Sequence, residues 1–194
     1  MPKQPAVAEY LAAIQRALSM LGVRWYVFGA QAVIFAGAVR TTADIDITVE
    51  EVPVEKLVKE LKKAGFVLRT GIEDLDELIE HHRILPMEHR TSGMQLDVVR
   101  AGPGPEQQML ARVTMRKLGR TQIPFIDTND LLVLKTLAGR EKDLEDVRAL
   151  LRGKSAELEV EVVRARLDEL GALIDDSTLR ELFDDQVRAA RRKS

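Results

Sequence analysis

The 194 residues are 45% apolar, enough to bury one sizeable core or a core with a small satellite domain. With 29 basic against 31 acidic side chains the formal charge is only -2, which excludes a whole-molecule field drawing in nucleic acid or membrane; a polyanion site would have to be local. The absence of cysteine excludes disulfides, thiolate zinc sites and cysteine nucleophiles, and the cytoplasm is the expected compartment.

Met1 to Pro5 lacks the apolar stretch of a secretory signal, and the most apolar run, Trp25 to Val39, is broken by glycines and Gln31, so no signal peptide and no membrane span is expected. Val7, Leu11, Ile14, Leu18 and Leu21 recur at helical spacing from Ala6 onward, with Gly22 as a stop. Trp25-Tyr26-Val27-Phe28 has the aromatic and branched content of a short buried strand, after which Gly29 permits a sharp turn into a helix expected over Ala30 to Ala38. Asp44 to Val49 alternates acid with aliphatic and reads as a strand. Val54 to Ala64 reads as a helix ended by Gly65, and Phe66 to Leu68 as a returning strand, which together point to mixed α/β architecture.

Ile84-Leu85 and Met94 to Val99 flank a turn at Ser92-Gly93 and predict a hairpin, broken off by the Gly and Pro run from Ala101 to Pro105. Asp127 to Asp130 supplies N-cap candidates for a helix carrying Leu131, Leu134 and Leu137. Helices are then expected over Glu141 to Leu151, Glu157 to Leu170 and Thr178 to Arg191, with Gly153 and Gly171 as stops and Thr178 and Glu181 spaced as a capping box. The expected division is a mixed α/β part over residues 1–127 and a helical part over 128–194.

In a strand, alternate side chains share a face, so Asp44 and Asp46 project together while Ile45 and Ile47 enter the core. Two adjacent carboxylates repel unless a cation or a shared proton relieves them, and magnesium is the natural partner because it is hard and takes carboxylates together with substrate phosphates. Leu96-Asp97-Val98 repeats the pattern with a single acid. Three acids can hold two ions, and two ions about 3.5–4 Å apart serve both the attacking and the leaving oxygen of an in-line phosphoryl displacement. The alternative is that these acids line the solvated face of a half-exposed sheet. At Gly29 the backbone N–H groups opening the next helix make an anion seat; a turn that needs glycine for steric reasons alone is the other reading.

The order Phe28-Gly29-Ala30, Gly37, Arg40-Thr41-Thr42-Ala43-Asp44-Ile45-Asp46, then Leu96-Asp97-Val98 resembles the polymerase-beta-like nucleotidyltransferase superfamily, most closely its AbiEii-type branch from toxin-antitoxin systems. The resemblance covers roughly residues 23–150. It implies the nucleotidyltransferase fold, a small mixed sheet flanked by helices and followed by a helical part. It also implies transfer of a nucleoside monophosphate from a nucleoside triphosphate to a hydroxyl, with magnesium or manganese held by Asp44, Asp46 and Asp97. The acceptor is left open among an RNA end such as that of a tRNA, a protein and a small antibiotic-like molecule, and an antitoxin partner is implied for the toxin branch.

Arg40 and Thr42 match the family's Arg-x-Thr-x-Asp spacing and would orient phosphate or pin the loop, Thr42 alternatively being a turn residue. The run from Lys135 to Asp146 resembles the family's helical motif, in which Lys135 contacts nucleotide phosphate and Asp143 supports the site. Lys135 also stands out on its own, since an amine interrupting a leucine-rich helix just after its cap needs an acid or a phosphate. Arg140, Lys142 and Asp146 read as a solvated helical face with Lys142 and Asp146 paired four residues apart. Where the family has serine or glycine after Gly29, this chain has Ala30, and a hydroxyl contact is lost; a nucleotide-binding module without turnover is therefore the alternative function. A nucleotide-sugar enzyme with an Asp-x-Asp pair ranks third. His81, His82 and His89 are read as surface hairpin residues rather than ligands, and Arg188, Arg191, Arg192 and Lys193 as a basic helix end that could touch RNA.

Overall fold

The computed structural model describes residues 7–153 and 158–192. Ala6, Glu157 and Lys193, expected in helices or in the basic tail, lie outside the described residues, as do Met1 to Pro5. In chain order the elements are α1 (Val7–Leu21), β1 (Trp25–Phe28), α2 (Gly29–Phe35), β2 (Asp44–Val49), α3 (Val54–Lys63), β3 (Phe66–Leu68), α4 (Leu75–Glu80), β4 (Ile84–His89), β5 (Gln95–Arg100), α5 (Pro105–Ala111), β6 (Thr114–Leu118), β7 (Thr121–Phe125), α6 (Thr128–Ala138), α7 (Glu141–Arg152), α8 (Val160–Ile174) and α9 (Leu179–Arg191).

Two compact units divide these elements: residues 1–31 with 42–126, and residues 32–41 with 127–194. The first holds a seven-stranded mixed sheet of order β3-β4-β5-β2-β1-β7-β6. Its centre is β2, antiparallel to β1 and parallel to β5. Ile45, Ile47, Leu96 and Val98 are fully buried, and helices α1 and α3 add Leu11, Ile14, Leu18, Leu57 and Leu61 to the same core. Alternation of burial along β5 and over Asp44 to Ile47 of β2 follows from the period of two of an extended chain, which sends the intervening acids to the other face. This is the mixed sheet flanked by helices that the resemblance implies.

The second unit packs α6 to α9 around Leu131, Leu132, Val147, Leu150, Val163, Leu167, Phe183 and Val187. Asp127 caps α6 by accepting from the N–H groups of Asn129 and Asp130, both at 3.2 Å. Arg166 of α8 then binds the carboxylates of Asp127 at 2.6 Å and Asp130 at 2.9 Å, tying the cap to a neighbouring helix.

Several expectations are corrected. Helix α2 ends at Phe35 instead of running to Ala38, because the chain turns through Gly37 at φ +102°. Gly171 is not a stop: α8 continues to Ile174 and ends on Asp175 in the left-handed region. A Cβ at Gly171 would strike the backbone carbonyl of Asp176, so the glycine serves the close approach of the returning loop. Thr178 and Glu181 form no capping box, since Thr178 has helical backbone angles and its hydroxyl donates to Asp176 at 2.7 Å.

Candidate active site

Within the first unit, strand register assembles a row of residues across the sheet. Phe28 of β1 stands opposite Asp46 of β2, Asp46 opposite Asp97 of β5, and Asp97 opposite Pro86 of β4. Arg69, the residue after β3, continues the row through its N–H bond to the Pro86 carbonyl at 3.1 Å. Residues directly opposite one another share a face, and Asp44 joins that face two residues before Asp46. Asp44, Asp46 and Asp97 therefore lie on one side of the sheet, opposite the fully buried Ile45, Ile47, Leu96 and Val98.

Gly29 abuts this cluster. Its φ is +63°, and a Cβ placed on it would lie 2.8 Å from the Asp46 Cγ, so glycine is required both for conformation and for space. Ala30 is buried, and Gln31 donates to the Asp44 carbonyl at 3.4 Å, which ties the start of α2 to the entry of β2. Thr42 accepts from the Asp44 N–H at 3.3 Å and acts as a turn residue there.

Asp97 is held by Arg69, whose guanidinium donates to it at 2.5 Å and to Gln95 at 2.9 Å. Partial burial pushes the Asp97 carboxyl above the ordinary aspartate range; Arg69 opposes the rise and the negative charge of Asp44 reinforces it. The donor set is one a hard divalent ion accepts: carboxylates from two adjacent strands on one face. Yet among the described residues no three acidic or histidine side chains are gathered tightly enough to form a ready metal cage. Asp97 faces a guanidinium instead.

Lys135 and Asp143 belong to a second constellation, in the other unit. The Lys135 ammonium lies 2.8 Å from Asp143 and 2.9 Å from Asp146, with only a tenth of its side chain exposed. Arg140 adds a bond to Asp143 at 2.5 Å, and Arg40 pairs with Asp146. Burial alone would raise the Asp143 carboxyl, but hydrogen bonds from Arg140 and Lys135 outweigh it and hold the group below the ordinary range. Asp146 is thus buried in a network, not paired with Lys142 on a solvated face. The amine expected to need an acid or a phosphate has two acids. Arg40 also lines a cleft of about 680 Å³ in this unit, with Lys142, Arg148 and Arg152 among its other basic groups.

Arg69 is the site residue that the sequence did not reveal. Nothing in the primary structure aligns residue 69 with residue 97; the alignment arises from two successive antiparallel pairings, β3 with β4 and β4 with β5. The histidines stay outside the site: His89 packs edge-on against Tyr10 and Phe66, its Nδ1 3.0 Å from the Ser92 hydroxyl.

No protein-family model matches the chain, and no curated protein matches it. Solved structures do. The antibiotic-resistance factor ANT(2'')-Ia in solution superposes with a TM-score of 0.57 at 16% identity over 87% of this chain and 94% of that one. Its crystal structure with adenylyl-2''-tobramycin gives the same score and identity over 84% and 97%. The lincosamide adenylyltransferase LnuA, bound to lincomycin, follows with a TM-score of 0.50 at 15% identity over 73% and 94%. The fold shared with these proteins is that of nucleotidyltransferases.

Proposed function

We propose that the chain is a metal-dependent nucleotidyltransferase that moves a nucleoside monophosphate from a nucleoside triphosphate to a hydroxyl. The carrying observation is the convergence of Asp44, Asp46 and Asp97 on one sheet face beside the Gly29 turn. In this reading Asp44 and Asp46 would hold a divalent ion together with the triphosphate, and Asp97 would complete a second ion site for the attacking hydroxyl. Magnesium or manganese at that position supplies neutralisation of phosphate charge. The acceptor oxygen forms the new bond to the α-phosphorus, the bond to pyrophosphate breaks, and the hydroxyl proton passes to Asp97. Backbone N–H groups at Gly29 and Ala30 seat the phosphates, and Thr42 steadies the entry to β2.

Lys135 and Asp143 take a different part from the one their motif suggests. With both carboxylates at salt-bridge distance, Lys135 fastens the helical unit through Asp143 and Asp146 rather than touching nucleotide. The acceptor is proposed to be a hydroxyl of an RNA end, a protein or an antibiotic-like molecule; the neighbours solved with adenylyl-2''-tobramycin and with lincomycin favour including the last. A cytoplasmic AbiEii-type toxin with an antitoxin partner is the finer form of the proposal. No described helix is long and apolar enough to cross a membrane.

The test is label transfer from an α-labelled nucleoside triphosphate in magnesium, with total tRNA, the protein itself, an aminoglycoside and a lincosamide as acceptors. Transfer to one acceptor, lost in Asp46→Ala and Asp44→Ala, is expected; equal labelling by wild type and both variants would falsify the assignment. Ala30 favours one second reading, a module that binds nucleotide without turnover. Metal-dependent nucleotide binding by calorimetry without pyrophosphate release would establish it.

A further inference from the structure

The Arg69 side chain reaches over the Pro86 position to Asp97, and its own hydrogen bonding is incomplete there. Both terminal nitrogens find acceptors, one on Asp97 and one on Gln95, while the Nε is buried with no partner among the described residues. A buried donor left without an acceptor costs free energy, so the pose is set by the carboxylate that it serves. Burial of the pair is substantial: 21% of the Arg69 side chain and 36% of the Asp97 side chain is exposed. Asp44 and Asp46 face the same side of the sheet, which places the guanidinium at the edge of an acidic cluster that would otherwise repel itself.

We infer that Arg69 is a built-in counter-cation that competes with a divalent ion for Asp97, so that the site fills in order: first the ion at Asp44 and Asp46, then, only once Arg69 lets go, the ion that needs Asp97. The inference rests on the proposed metal-dependent function and adds to it a positioning residue and a sequence of occupancy. It accounts for why the three acids share a face without forming a ready cage. Releasing Arg69 also frees a planar double donor suited to phosphate oxygens, on the side of the sheet where the triphosphate is proposed to lie.

Manganese titration followed by electron paramagnetic resonance, with a non-hydrolysable nucleoside triphosphate present, reads this directly. Wild type is expected to bind one ion tightly and a second weakly. Arg69→Gln should tighten the second site about tenfold or more, the equivalent of removing one charge-assisted hydrogen bond that competes for the ligand, and leave the first unchanged. Arg69→Lys, which keeps the charge but loses the fork, should fall between. Asp97→Asn should abolish the second site in either background. Circular dichroism checks that each variant is folded, and Arg69→Lys serves as the test variant if Arg69→Gln is not.

Unchanged or weaker second-site binding in folded Arg69 variants overturns the inference while leaving the proposed function standing. No manganese bound by wild type or by any variant overturns both.

Discussion

The two units each gather aspartates and basic side chains, and they treat them in opposite ways. In the helical unit, Asp143 is met by Lys135 and Arg140, and Asp146 by Lys135 and Arg40, and Lys135 and both carboxylates are drawn out of solvent. In the sheet unit, Asp97 has Arg69 on one side and the charge of Asp44 on the other, and its carboxyl moves up where that of Asp143 moves down. Charges that complete one another are a structural fastening. Acids gathered on one sheet face are the arrangement on which the proposed metal-dependent function rests.

The sharpest way to break the contrast is to remove a charge from each side. Asp46→Ala is expected to lower transfer by about 10³-fold or more, the scale of losing a charge-stabilising group, with a melting temperature no lower than wild type. Lys135→Met should do the reverse. It takes the shared ammonium from two buried carboxylates, leaving each with one arginine, and is expected to cost about 3 kcal/mol, or a fall in Tm of about 6–12 °C by calorimetry. If instead Lys135→Met leaves Tm intact and raises the KM for nucleotide, the amine belongs to the reaction and the comparison fails.

Gly29→Ala attacks the acidic side without removing a charge. Its methyl group would be forced against Asp46 at a positive φ, and a loss of about 1–3 kcal/mol in stability is expected by denaturant titration, together with reduced transfer.

Acid and base separate the two groups by sign. Asp143 has a lowered folded value, so its stabilisation is present above about pH 4 and disappears as pH falls through that value. Asp97 has a raised one, so stability is fullest below about pH 4 and declines as pH rises through the raised value. Denaturant unfolding measured across pH should therefore lose its acid-side slope in Asp143→Asn and its opposing slope in Asp97→Asn. Lys142→Ala, at the exposed position that helical spacing alone would pair with Asp146, should change stability by no more than about 0.5 kcal/mol.

How much of this was legible in the sequence depends on range. The acid and aliphatic alternation of β2 and β5 is a local signal, and it placed Asp44, Asp46 and Asp97 on strands with their faces assigned. Short or weakly patterned elements were not read. Helix α4 is six residues long and opens from Asp74 in the left-handed region, and α5 starts at Pro105, inside a run that looks like a pure breaker. The β6–β7 hairpin was missed because β6 carries Arg116 and Lys117 and has no apolar face. Gly171 misled because the left-handed position that glycine usually fills is taken by Asp175. What lay furthest from view were pairings between segments, Arg69 with Asp97 and Arg40 with Asp146, since no spacing rule reaches from one strand or loop to another.

The assignment of residues 32–41 to the helical unit has a practical outcome. A fragment cut at residue 127 and expressed alone would carry Lys135, Asp143 and Asp146 but leave behind Arg40, the guanidinium that completes Asp146. Such a piece should be poorly behaved in solution. Appending the excised stretch through a flexible tether, or supplying it as a synthetic peptide, is the route by which this half could be studied in isolation.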